Sequence, residues 1–108
     1  REPFGALLAR WQATHAPTPA LRALFDQIAT EEARHCEDSL ALDAWARSLL
    51  GPAACTLLDD ARRGAFTQLR AALEAQTSPP LAAAFGLPTG IVQRALFDAL
   101  SETLAIAA

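Results

Sequence analysis

Apolar side chains recur along this chain at the three- and four-residue spacing of helices, and nothing in the pattern calls for a β-sheet. In the first segment, residues 4–15, Phe4, Leu7, Leu8 and Trp11 form one stripe, and Ala6, Ala9 and Ala13 form another on the opposite side. A helix apolar on both sides is expected to lie between neighbours. Ala16-Pro17-Thr18-Pro19 ends it, with Thr18 as N-cap and Pro19 as first residue of the next helix. That second helix is expected over residues 19–50, closed by Gly51-Pro52. At 1.5 Å per residue it spans about 48 Å, a length suited to a bundle. Leu21, Leu24, Phe25, Ile28, Leu42, Ala46 and Leu49 share one side of it.

A third helix is predicted over residues 53–76, with Cys55, Leu58, Ala65, Leu69, Ala72 and Leu73 inward and Gly64 as a mild weakness. Thr77-Ser78-Pro79-Pro80 breaks it, and residues 81–85 form at most a single turn. Gly86-Leu87-Pro88-Thr89-Gly90 leads into a last helix, residues 89–106, whose stripe is Val92, Ala95, Leu96, Ala99, Leu100 and Leu104. The reading is therefore all-α: four helices near 3–15, 19–50, 53–76 and 89–106, in an antiparallel bundle. Residues 1–50 form a hairpin, and residues 51–108 a C-terminal extension that packs on it within one domain.

Composition agrees. The chain has 108 residues, 52% of them hydrophobic and 19% charged, which fits one packed domain and excludes disorder. Alanine, the best helix former, dominates, and Tyr is absent. The formal charge of −3 and a pI near 5.2 argue against nucleic acid, since the nine arginines are scattered and there is no Lys. No apolar run approaches the ~20 residues of a membrane span. No signal-peptide pattern opens the chain, and with no Met in the sequence a segment upstream of Arg1 is expected. Cys36 and Cys55 are too few for a disulfide scaffold. Two buried thiols are expected, although their order permits one bridge across a hairpin. The compartment stays undecided.

The chemistry concentrates on the second helix. Drawn at about 100° per residue, Glu32 and His35 fall inside the arc of Leu21, Leu24, Phe25 and Ile28, whereas Arg34, Glu37 and Asp38 lie on the far side. Both are therefore expected to be buried and to point the same way. A lone buried carboxylate costs several kcal/mol unless it is paired, protonated or bound to a cation. Residues three apart bring their Cβ atoms within about 5–6 Å, so a carboxylate oxygen and an imidazole nitrogen can converge on one ion. Glu-x-x-His facing into a bundle is the half-motif of di-iron and di-manganese carboxylate proteins. A hydrogen-bonded Glu–His core pair needs no metal, and spacing alone does not separate the two.

Arg1-Glu2-Pro3-Phe4-Gly5-Ala6-Leu7 followed by Ile28-Ala29-Thr30-Glu31-Glu32-Ala33-Arg34-His35 resembles the second half of a ferritin-like domain, of the alanine-rich bacterial kind with undefined activity. The resemblance covers about the first fifty residues and implies a ferritin-like half-bundle plus helical tail. It implies iron or manganese ions, bridged by Glu32 and terminated by His35, with Glu2 as a further carboxylate, and oxygen, peroxide or Fe²⁺ oxidation chemistry. The first two helices of such a bundle, with their own ligands, have no counterpart here. Pro3 restricts Glu2 as well, because the residue before a proline is pushed out of the α region. Redox activity is expected only where missing helices or a second chain complete the site. The alternative is a non-catalytic helical interaction or scaffold domain without a working metal site.

The remaining candidates read blandly. His15 is expected to cap its helix, Trp11 and Trp45 to be core or interface aromatics, and Arg62-Arg63 to be a solvated face. Cys36 points about 100° from His35, against a joint zinc site. Glu31, four residues before His35, is an alternative partner at the edge of the stripe. A helix hairpin with no covering half predicts a two-fold dimer through residues 4–11 or the 28–42 face. In the competing arrangement the third and fourth helices fold back over that surface and leave a monomeric bundle.

Overall fold

Three of the helices begin at a side-chain cap. The computed structural model describes residues 2–73 and 78–104, in which five helices follow one another: α1 (Glu2–His15), α2 (Pro19–Leu49), α3 (Pro52–Ala72), α4 (Pro79–Phe85) and α5 (Gly90–Thr103). Thr18, Ser78 and Thr89 each accept a hydrogen bond from a backbone N–H of the following first turn, at 3.2, 3.3 and 3.4 Å. These bonds satisfy donors that a helix start leaves without partners. Pro19, Pro52 and Pro79 open their helices, where a missing N–H costs nothing. No strand occurs among the described residues. The expected single turn at 81–85 is a complete short helix, so the described residues hold five helices where four were expected. The last residues foreseen for the third and fifth, 74–76 and 105–106, lie outside the described residues.

α1 and α2 form an antiparallel hairpin joined by the short break at Ala16. Ala9 and Ala29 are buried at 3% and 1% exposure, and their small side chains let the two backbones approach. Arg10 pairs with Asp26 at 2.5 Å, and Arg22 Nη1 donates to the Ala16 carbonyl at 2.8 Å. α3 returns along the C-terminal half of α2. α5 crosses back onto α1, where the Phe97 ring meets Phe4 edge-on at 5.7 Å and Phe66 of α3 at 5.4 Å. This aromatic triplet joins α1, α3 and α5.

α4 is anchored from below. Gln12 is buried, and its Nε2 donates to the Phe85 carbonyl at 3.0 Å. Gly86 then closes α4 in the left-handed region at φ 66°, with Leu87 N donating back to the Ala82 carbonyl. A Cβ at Gly86 would lie 2.6 Å from the backbone of Ala16, so glycine is required by both φ and proximity.

The buried faces are rotated in part from those the sequence predicts. On α2 Ala29 is fully buried; Leu21, Phe25, Ile28 and Ala46 of the expected stripe are half-buried, as are Cys36 and Arg47, whereas Leu24, Leu42, Trp45 and Leu49 are about half to two-thirds exposed. On α5 the buried residues are Phe97 and Ser101, neither of them in the predicted stripe, and Ala95 and Ala99 face solvent. The molecule measures 49 × 27 × 17 Å, with a radius of gyration of 15.7 Å against about 13 Å for a compact chain of this length. It is a slab of helices with a thin core.

Candidate functional site

Glu32 and His35 lie midway along α2 and point the same way, as their spacing requires. His35 Nδ1 is 3.9 Å from Glu32 Oε1, too long for a hydrogen bond and short enough for the two to share an ion. Their burial is not as expected. The His35 side chain is 54% exposed and that of Glu32 34%. The reason is the rotated face: α1 approaches α2 over Ala29, about 60–120° round the helix from Glu32 and His35, so they border the covered side and do not enter it. Glu31 is exposed and accepts a hydrogen bond from Gln27 at 3.4 Å.

A metal needs more donors than this pair provides. Carboxylate and imidazole together suit iron, manganese or zinc, but structural and catalytic sites use at least three protein ligands. Among the described residues no group of three or more His, Cys, Asp or Glu side chains could hold an ion. Glu2 begins α1, but its side chain lies outside the described residues. Its neighbour Pro3 lines the same cleft as Cys36, so the antiparallel hairpin does bring the start of α1 alongside the middle of α2. Among the described residues Glu32 and His35 are thus two donors, fewer than a closed metal site uses.

That cleft, about 760 Å³, lies between α2, α3 and the end of α5, with Cys36, Leu40, Arg62, Phe66, Leu69 and Leu104 in its lining. Its wall is mostly apolar. Cys36 turns towards it and away from His35, which removes the thiol from the Glu32–His35 pair. Both cysteines are free thiols, and both are half-buried, not fully buried. Cys55 Sγ sits 3.9 Å from the Arg47 carbonyl.

The strongest electrostatics lie elsewhere, at the α2–α3 junction. Arg47 Nε holds Asp43 at 2.8 Å and its Nη1 holds Asp59 at 2.7 Å, while Arg62 reaches the same Asp43 oxygen at 2.9 Å. Partial desolvation pushes the Asp43 pKa up. The hydrogen bonds and charges of Arg47 and Arg62 push it further down, so the carboxyl stays below its ordinary value. Hydrogen bonds to Asp43 and Asp59 raise Arg47 in turn, against its own desolvation. Arg47 Nη2 is buried without a hydrogen-bond partner among the described residues. This four-residue clamp was missed in the sequence, although Asp43 and Arg47 stand at i, i+4, the spacing that announces such a pair. Arg62, expected in solvent, belongs to it, and Arg63 pairs with Asp60.

His15 is a cap, as its position suggests. Its ring stacks on Trp11 at 4.0 Å, and its Nδ1 donates to the Trp11 carbonyl at 2.9 Å. No helix is long and apolar enough to cross a membrane among the described residues. No protein-family model matches the chain, and searches of curated proteins and of solved structures returned no match.

Proposed function

We propose that this chain is a ferritin-like metal-carboxylate protein that binds iron or manganese through Glu32 and His35. The observation that carries the reading is the convergence of Glu32 Oε1 and His35 Nδ1 at 3.9 Å on an open stretch of α2. Two ligand atoms at 2.0–2.2 Å from one ion lie roughly 3–3.5 Å apart, so a small side-chain rotation closes the pair on a metal. The sequence around the pair, Ile28 to His35, and the antiparallel return of α1 carry the ferritin-like likeness. Two donors hold an ion weakly and support no oxygen chemistry alone, so redox activity waits on further ligands.

Protein purified without chelator is expected to take up Mn²⁺, or Fe²⁺ under anaerobic conditions, with Glu32→Gln and His35→Ala each weakening binding by at least about tenfold. Equal metal content in the parent protein and both variants refutes the reading. A second reading, a helical interaction domain without a working site, is favoured by one feature. Leu42, Trp45, Leu49 and Leu57 are each more than 60% exposed, and such surfaces mark contacts with other proteins. Partner binding that survives His35→Ala, in a protein that takes up no metal, is its signature.

A further inference from the structure

Along α2, Leu21, Ile28, His35, Leu42 and Leu49 stand seven residues apart. That is the period of a seam between two helices that wrap round one another. The pattern also reads the same from either end. Leu21 and Leu49 are equidistant from His35, as are Leu24 and Ala46, Phe25 and Trp45, and Ile28 and Leu42. Antiparallel pairing of two identical helices about a two-fold axis requires this symmetry, because each residue then meets its mirror position in the other copy.

The chain leaves the C-terminal part of that seam open, while Leu21 and Ile28 towards its other end are half-buried. α1 packs on the side of α2 that carries Ala29, and α3 on the side that carries Asp43 and Arg47. Both lie about 60–140° round the helix from the line through His35 and Leu42. Leu24 is 49% exposed, Leu42 62%, Trp45 61% and Leu49 67%. The other candidate face, on α1, is closed, since Phe4 is buried beneath Phe97. A strip about 46 Å long and 10–12 Å wide gives a footprint of about 500 Å² per copy. Two copies bury about 1,000 Å² in that flat measure, the size at which specific association begins.

We infer that a second copy of this chain seats on this face, antiparallel, with the two-fold axis at His35. The apolar ends of the seam, Leu21, Leu24 and Ile28 in one copy, meet Leu42, Trp45 and Leu49 in the other. The middle, Glu31, Glu32, His35 and Asp38, is polar. A polar layer in an apolar seam weakens the pair and fixes its register, since a shift of one heptad sets His35 against leucine or isoleucine. The pairing does not need the metal reading, but it deepens it. Each copy brings Glu32 and His35 to the axis, so the pair offers four donors where one chain offers two.

Leu24→Cys and Leu42→Cys, each made with Cys36→Ser and Cys55→Ser, test the arrangement through a short bismaleimide. In the antiparallel pair, residue 24 of one copy lies near residue 42 of the other, while like positions lie about 20–35 Å apart. A mixture of the two variants is expected to cross-link, and either variant alone is not. Light scattering across the micromolar range is expected to give a dimer, tightened by Mn²⁺. Leu42→Glu with Leu49→Glu is expected to give a monomer of unchanged helicity. A monomer at every concentration, with or without Mn²⁺, overturns the pairing, as does cross-linking of one variant with itself or a dimer indifferent to the two glutamates. A dimer that takes up no metal supports the pairing and removes the metal reading. A monomer that binds metal through His35 does the reverse.

Discussion

Ala29 decides more about the Glu32–His35 pair than either of those residues does. An arc drawn through the largest side chains of α2 centres near Ile28 and encloses both ionisable groups. The helix is in fact most enclosed at Ala29, and both Ala29 and Ala9 of α1 are buried although their side chains are small. Side-chain size reads as core-forming in a sequence, yet the closest approach of two helices goes to residues with almost none. Phe97 was overlooked for a related reason: its neighbours on the buried face include Ser101, whose hydroxyl bonds the Phe97 carbonyl and leaves no apolar mark. Gly86 is the opposite case, a residue whose role is set entirely by backbone. Its left-handed φ and the 2.6 Å approach to Ala16 predict that Gly86→Ala lowers stability by at least about 2 kcal/mol. Urea denaturation measures this, and a change within about 0.5 kcal/mol, the level of a neutral surface substitution, removes the argument.

Elements were the most legible scale. Pro17 and Pro19, Gly51 and Pro52, and Ser78 to Pro80 punctuate the chain where the helices stop and start, since proline and capping residues act locally and need no tertiary knowledge. How two elements clasp one another was not legible, because it depends on pairs far apart in sequence. The α2–α3 junction shows this. Arg47 ties Asp43 on its own helix to Asp59 on the next, and Arg62 returns the contact. The lowered pKa of Asp43 gives the clamp a pH signature. A carboxyl held below its unfolded value adds stability above that value, near 4, and loses it as the pH falls through the folded value. Asp43→Asn is therefore expected to cost on the order of 1 kcal/mol near neutrality. The gap to the parent should shrink below about pH 4 and narrow with added salt. Chemical denaturation at several pH values tests it. A gap that stays constant from neutral to acid places the effect in packing.

At the scale of the whole molecule, the question is how little core holds these helices together. Among the described residues the buried apolar side chains are Phe4, Ala9, Ala16, Ala29 and Phe97, and three of those five are alanines, which supply close approach more than buried area. Among the described residues eleven large apolar side chains, Leu42, Trp45 and Leu49 included, are exposed in the single copy, and this is why a second copy on α2 matters to the fold as well as to the site. Within one copy the aromatic contacts of Phe97 with Phe4 and Phe66 join the first helix to the last and to the third. Phe97 is also the largest fully buried side chain among the described residues. Phe97→Ala is therefore expected to cost about 3–5 kcal/mol, the transfer of the ring plus the cavity it leaves. That is a large share of the 5–15 kcal/mol typical of a domain. Leu57→Ala, at a position 70% exposed, is the control and is expected to stay within about 0.5 kcal/mol. Denaturation midpoints followed by circular dichroism compare the two. Equal losses would mean that the Leu57 surface is as enclosed in solution as Phe97, through contacts a single copy does not make. A small loss at Phe97 would instead mean that α5 contributes little to the cooperative unit, leaving the α1–α2 hairpin and its partner copy to carry the fold.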